Sequence, residues 1–429
     1  MTLFKDWLAI LPLFIPLYLL RFDVFGIPTT LFECMVGLTA VVGFALFVRP
    51  KSFKNWVKKH DFRSWRNPLW PILLFFVAAT ISMMIVPNVT PDVNGDLVES
   101  ARIAQGIWKG WIVMPLVYFG MIYLIDKDEE WWLFTMRALA ISGFMVSMYA
   151  IRQILFGTFD TWDLRASGPF ESANYLSLYI TPILLLTIIN LFKDHDCTFC
   201  ELIWWGLMIT GMSVALWGSQ SYAAFISFAV GAAFYFFFTP TVSVKKKRIL
   251  FTAGVAAAAL LITSQMDTPK FQQFIDVENR TSSSVRLEVY DISTELVKQN
   301  PFLGIGLGQF EVQYQVNAPI ILGHAPYEWV MLHPHNLALA FWLNTGLLGL
   351  ISIIWLVLLV IWKGLHSEKE SLFNRWFHKA KKKAENPVYP LRLIAISMLV
   401  VILVHGLFDT PFFKNDLAYL WWLVLVMGL

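Results

Sequence analysis

Charge is scarce in this sequence of 429 residues: only 15% are Asp, Glu, Lys or Arg, where a soluble domain carries about 25%. That shortage excludes an ordinary water-soluble domain, and a 57% share of hydrophobic residues excludes a disordered chain. Cysteine is nearly missing; three residues cannot frame a disulfide-stapled fold. No A-x-A-like cleavage site follows the first apolar run, Trp7–Leu20, and further runs come at once, so it reads as a span rather than a removed leader. Strict alternation of polar and apolar residues is also missing, which excludes a transmembrane barrel.

What remains is long apolar runs, and mean hydropathy is +0.60. Each is about the twenty residues needed to cross roughly 30 Å of hydrocarbon as a helix. The expected fold class is an all-α polytopic membrane protein. Twelve spans are read, near 7–20, 24–48, 68–87, 102–125, 131–156, 172–192, 201–217, 221–239, 249–265, 337–362, 391–408 and 417–429. They divide the chain into an N-terminal bundle (1–265), a large loop (266–336) and C-terminal spans (337–429).

Lys and Arg set the orientation. Segment 49–67 holds Arg49, Lys51, Lys54, Lys58, Lys59, Arg63 and Arg66. Segment 240–248 ends in Lys245, Lys246, Lys247 and Arg248, and segment 363–390 contains Lys379, Lys381, Lys382 and Lys383. Twelve spans threaded in order put all three on one side, the cytoplasm, with both termini. The loop 88–101, with Asp92, Asp96 and Glu99, falls outside, as does the loop 266–336. A loop that long is usually functional. In it Val285, Val289, Ile292 and Leu296 recur at helical spacing until Asn300-Pro301, which predicts an amphipathic helix at the outer interface. A second short helix is read over Tyr327–Leu332.

Charges on the outer face are the first functional candidates. The outward arginines are Arg21, Arg102, Arg152, Arg165, Arg280 and Arg286. They either pair with Asp160, Asp163, Glu278 or Glu288 and with lipid phosphate, or form a cluster of forks for a lipid-linked pyrophosphate. His333-Pro334-His335-Asn336 precedes the tenth span. Proline favours a first helical turn, so the helix is expected to begin there, with His335 held neutral by the positive end of its dipole. A neutral imidazole serves as a general base; the same tetrapeptide also reads as a plain helix cap, and as a metal site it lacks a third ligand nearby. Gly304-Ile305-Gly306-Leu307-Gly308 reads as a tight re-entry of the chain rather than a nucleotide loop. Cys197 and Cys200 read as reduced structural thiols, and Asp126 and Asp128 as a solvated inner loop. No outward Asp-x-Asp occurs, so a metal-dependent glycosyl transfer gains no support. His405 and Asp409 flank the eleventh span, placed to pair with each other or with the arginines.

In their order along the chain, Arg165-Ala-Ser-Gly-Pro-Phe…Asn174, Arg286…Asn300-Pro-Phe-Leu-Gly-Ile-Gly-Leu-Gly308 and His333-Pro-His-Asn336 resemble the O-antigen ligase and polymerase superfamily. His335-Asn336, nine residues, Gly346, two residues and Gly349 is similar to the ligase histidine signature, with Leu350 where threonine or valine is usual. His405-Gly-Leu-Phe-Asp409 is similar to the family's late histidine segment. The resemblance implies a GT-C-like fold in the bacterial inner membrane, with its site facing the periplasm. It implies a metal-independent, inverting transfer of a glycan from undecaprenyl pyrophosphate to a lipid A-core sugar, within a setting of membrane lipids and without nucleic acid. Carried over by motif, His335 is the base and Arg286 a pyrophosphate ligand. Arg165, Arg280, Arg152, Asn174, Asn336, His333 and His405 are candidate substrate contacts. One departure stands out. Where the family has Ser-Arg, this chain has Ser219-Gln220, so Gln220 offers hydrogen bonds without charge. A polymerase using a second lipid-linked repeat as acceptor stays open. So does a membrane anion transporter, although no paired repeat is visible and charge gathers at the outer surface rather than mid-membrane.

Overall fold

A computed structural model describes residues 2–24, 27–47, 62–161, 163–193, 198–239, 281–366 and 388–429, with isolated residues 252, 263 and 266. In order the elements are α1 (Thr2–Ile10), a 3-10 continuation (Leu11–Leu19), β1 (Arg21–Val24), β2 (Ile27–Thr30), α2 (Leu31–Phe47) and α3 (Leu69–Met84). They continue with β3 (Thr90–Pro91), β4 (Leu97–Val98), α4 (Ser100–Ile107), a π-helical stretch (Trp108–Val113), α5 (Met114–Leu124), α6 (Glu129–Phe156), α7 (Ala173–Lys193), α8 (Phe199–Ser219) and α9 (Tyr222–Phe238). The last five are α10 (Ser282–Gln299), α11 (Phe310–Leu322), α12 (Leu337–Leu365), α13 (Val388–His405) and α14 (Asn415–Gly428).

The molecule is a multi-pass helical membrane protein. Among the described residues six helical stretches are long and apolar enough to cross a bilayer: Thr2–Leu19, Ser100–Leu124, Glu129–Phe156, Ala173–Leu191, Phe199–Ser219 and Leu337–Leu365. Five shorter apolar helices accompany them, at Leu31–Leu46, Leu69–Met84, Tyr222–Phe238, Leu391–His405 and Asn415–Gly428. These cover eleven of the expected spans. The span at 249–265 and most of the three basic loops lie outside the described residues. Pro12 and Pro16 explain why the first span tightens from α-helix to 3-10 geometry, because each removes an amide donor. Two antiparallel hairpins, β1–β2 and β3–β4, interrupt the helical order. The first delays the second helix to Leu31, later than the start expected at residue 24.

Lipid offers no hydrophobic reward for helix association, so polar ties between spans count heavily. The main one was not legible as a group. Lys109 Nζ stands 2.9 Å from Glu33 Oε2 and bonds Thr29 Oγ1 at 3.0 Å and the Pro28 carbonyl. Asn415 Nδ2 donates to Glu33 Oε1 at 2.8 Å, and Trp111 Nε1 donates to Asn415 Oδ1 at 2.9 Å. The tie joins α2, the π-helical stretch and α14.

The large loop has its own small core. The capping box of Thr281 and Ser284 starts α10, and Val289, Ile292 and Leu296 are fully buried against Phe310, Tyr314, Ala318 and Leu343. The amphipathic helix is therefore present as spaced. The second helix is not at Tyr327–Leu332, which is irregular; it is α11, which closes at Gly323 in the left-handed region. Pro326 and Pro334 flank the expected stretch and deny it helical continuity.

The glycine segment docks onto a break in α12. Gly346 has φ 68° and ψ −178°, so the helix kinks there. The freed backbone groups are met from the loop: Ile305 N bonds the Leu343 carbonyl at 2.9 Å and Leu347 N bonds the Phe302 carbonyl at 3.0 Å. Asn344 Oδ1 accepts from Gly308 N at 2.9 Å. Gly304, at φ 70°, lies so near the Leu343 carbonyl that a side chain has no room.

Candidate active site

The helix α12 begins three residues later than its proline suggested. Asn336 is its cap, in extended geometry, with Oδ1 accepting from Leu339 N at 3.1 Å. His335 thus precedes the helix instead of sitting in its first turn, and it has φ 49°. The region is costly for a residue with a side chain, and it aims the imidazole at the loop 406–414 that joins α13 to α14.

There Asp409 waits, with its side chain 2% exposed. His335 Nδ1 is 3.2 Å from Asp409 Oδ1 and His333 Nε2 is 3.4 Å from the same oxygen. Thr410 N donates to it as well, at 2.8 Å. A carboxylate only accepts, so the two ring nitrogens facing it carry the protons. His333 Nδ1 is then an acceptor for the Tyr175 hydroxyl, 3.4 Å away. His335 is left with an unprotonated Nε2. Burial lowers the His335 pKa below the ordinary imidazole value, while Asp409 pulls the other way. Burial pushes Asp409 up, but the two imidazoles and their hydrogen bonds outweigh it and hold the carboxyl well below its usual range. Burial is thus the largest influence lowering the His335 pKa.

Arg286 reaches the same loop from α10. Its Nε donates to the Phe408 carbonyl at 3.2 Å and its Nη1 to the Ser282 carbonyl at 3.3 Å. One turn on, the Tyr290 hydroxyl lies 3.0 Å from the His335 carbonyl and 3.1 Å from that of Leu407. Asn336 Nδ2 adds a long bond to the Leu407 carbonyl at 3.5 Å. His335, His333, Asn336 and Arg286 therefore meet at one loop.

A second corner gathers Arg165, Asn174 and the Ser219-Gln220 turn. Arg165 Nε pairs with Asp163 at 2.5 Å, while Nη1 donates to Asn174 Oδ1 and to the Ser219 carbonyl, both at 3.2 Å. The guanidinium thus sits at the very turn where the family pattern has arginine and this chain has Gln220, whose φ is 46°. Neighbouring residues Asn174 and Tyr175, at the start of α7, link this corner to His333.

Other candidates fall elsewhere. Arg152 is exposed and lies over the Tyr149 ring at 5.6 Å. Arg280 lies outside the described residues, as does Cys197; Cys200 is exposed and free. Asp128 caps α6 through Trp131 N rather than merely lining a solvated loop. His405 is buried, yet neither ring nitrogen has a hydrogen-bond partner among the described residues, so the expected pairing of its side chain with Asp409 does not form. Asp409 instead takes the two histidines, and the view that they lack a third ligand is corrected. Sequence reading also missed Tyr175 and Lys414. The Lys414 ammonium is buried 3.5 Å above the Tyr175 ring; a lone lysine after Pro411-Phe412-Phe413 was the available signal.

The fold and site define a helical membrane protein with a half-buried imidazole paired to a buried carboxylate beside an arginine. Residues 207–354, which include Gln220, Arg286, His333 and His335, match the family model described as O-Antigen ligase. The match covers about a third of the chain and supports the O-antigen ligase and polymerase superfamily. A search of curated proteins found no match to it.

Proposed function

We propose that the chain is an inverting membrane glycosyltransferase of the ligase type, acting in the bacterial inner membrane with its site toward the periplasm and both termini in the cytoplasm. Its donor is a glycan on undecaprenyl pyrophosphate, and its acceptor a sugar hydroxyl of the lipid A core. The single observation that carries the reading is the His335–Asp409 pair beside Arg286. Asp409 keeps the proton on Nδ1, so His335 Nε2 takes the acceptor hydroxyl's proton as that oxygen attacks the anomeric carbon. The bond to the pyrophosphate oxygen breaks on the opposite face. Arg286 and the Arg165 corner stabilise the negative charge that grows there. Asn174, Gln220, Asn336 and His333 contribute hydrogen bonds to substrate, and the chemistry needs no nucleotide sugar.

The test is glycan transfer from purified lipid-linked donor to lipid A-core acceptor by the full chain and by His335→Ala. A fall of roughly 10²- to 10⁴-fold is expected for loss of a general base. Near-normal turnover in the variant would remove His335 from that role. Transfer only onto a second lipid-linked repeat would reassign the acceptor and make the chain a polymerase.

A further inference from the structure

One ligand atom from each of His333, His335 and Asp409 lies within 4.8 Å of the other two. Two of the three separations are 3.4 and 3.2 Å, close to the edge of about 3.3 Å that follows for a tetrahedron with zinc bonds of about 2.0–2.1 Å. Two imidazoles and one carboxylate with a fourth position open suit a borderline transition metal rather than magnesium or calcium. The ligands come from two segments fixed independently, one by the Asn336 cap and the Tyr290 bond, the other by the Asp409–Thr410 turn.

We propose that these three residues form a zinc-class metal site whose occupation switches the enzyme off. The inhibitory half rests on the transfer reading above; the binding half does not. The logic is tautomeric. A metal on Nδ1 displaces the proton that faces Asp409, and the neutral ring then carries it on Nε2. The lone pair proposed to accept the acceptor's proton is gone. His333 shifts in the same way, its proton moving to Nδ1 toward the Tyr175 hydroxyl. No proton or electron is gained or lost overall.

The experiment uses the full chain in detergent, stripped with a chelator, with Cys34, Cys197 and Cys200 replaced by Ser so that thiols do not compete. Zinc is titrated by calorimetry and cobalt by visible absorption. One saturable equivalent is expected, with ligand-field bands of a four-coordinate nitrogen and oxygen site. His333→Gln and Asp409→Asn should each weaken binding more than roughly tenfold, the cost of losing even an outer-shell partner. Absence of saturable binding, or unchanged affinity in both variants, would overturn the site. In the transfer assay, one equivalent of zinc should abolish turnover and the chelator restore it. Full turnover with zinc bound would overturn the switch while leaving the site in place. A wild-type chain that binds zinc but transfers nothing would sink the transfer reading alone.

Discussion

His335 and Asp409 are 74 residues apart in the chain and 3.2 Å apart in space. One precedes a membrane helix and the other follows a different one. Their meeting is what turns a helix-start motif into a site with a defined proton position.

That pair sets a pH signature. Burial keeps the His335 pKa below the usual imidazole value, and Asp409 partly counters this. A base works when unprotonated, so the rate should rise with pH through a pKa below the ordinary imidazole value. Asp409→Asn removes the influence that raises the pKa. The acidic limb should move to lower pH while the plateau falls on the order of 10²-fold, as the ring loses its fixed tautomer. Rate profiles taken with chelator present check this; an acidic limb that moves upward would contradict it.

Arg286 spends two nitrogens on the backbone carbonyls of Phe408 and Ser282. A lysine has charge but no fork. Arg286→Lys is therefore expected to lose nearly as much transfer as Arg286→Ala, about 10- to 100-fold, the range for charge-assisted hydrogen bonds. Steady-state rates on the purified variants measure it. A lysine variant close to wild type would show that charge alone suffices.

Gly346 occupies a backbone state with φ 68°, and its missing side chain faces Phe302 and Leu303. Gly346→Ala should cost at least about 1–3 kcal/mol from backbone strain, with further loss as the Gly304–Gly308 segment is displaced. Thermal unfolding in detergent reads the cost. Protease accessibility of the 300–308 segment should rise with it.

Glu33 is 3% exposed and is held by Lys109 and Asn415. Glu33→Gln leaves Lys109 without its counter-charge and should destabilise by about 3 kcal/mol, the scale for breaking a buried pair. Adding Lys109→Met should recover part of that. The midpoints of thermal unfolding for the single and double variants decide it.

Much of this was readable in the chain. Apolar runs marked the helical stretches, six of them long and apolar enough to cross lipid, and Val289, Ile292 and Leu296 marked the face of α10 because burial repeats with the helical turn. His335 and Arg286 were visible as chemistry, yet their common neighbour, the loop 406–410, was not, because a backbone carbonyl leaves no mark on a sequence. Asp409 was noted, but as a partner for His405 or for the arginines. Four residues along a helix suggest a shared face, but the helix ends at His405, and beyond it the loop turns the carboxylate to His333 and His335. Pro334 misled on where α12 begins, since the Asn336 side chain bonds the first free amides better than proline does. Glu33 and Lys109 sat inside expected spans, where lone charges invite a search for partners, but the distance between them along the chain concealed the match.

The bond between Glu33 and Asn415 spans 382 residues. A ribosome releases the chain from its N-terminus, so α2 is made long before Asn415 exists. Until Asn415 is made the carboxylate lacks that amide, and before residue 109 emerges it lacks its lysine as well. The second helix is therefore made carrying an acid whose partner amide is synthesised 382 positions later.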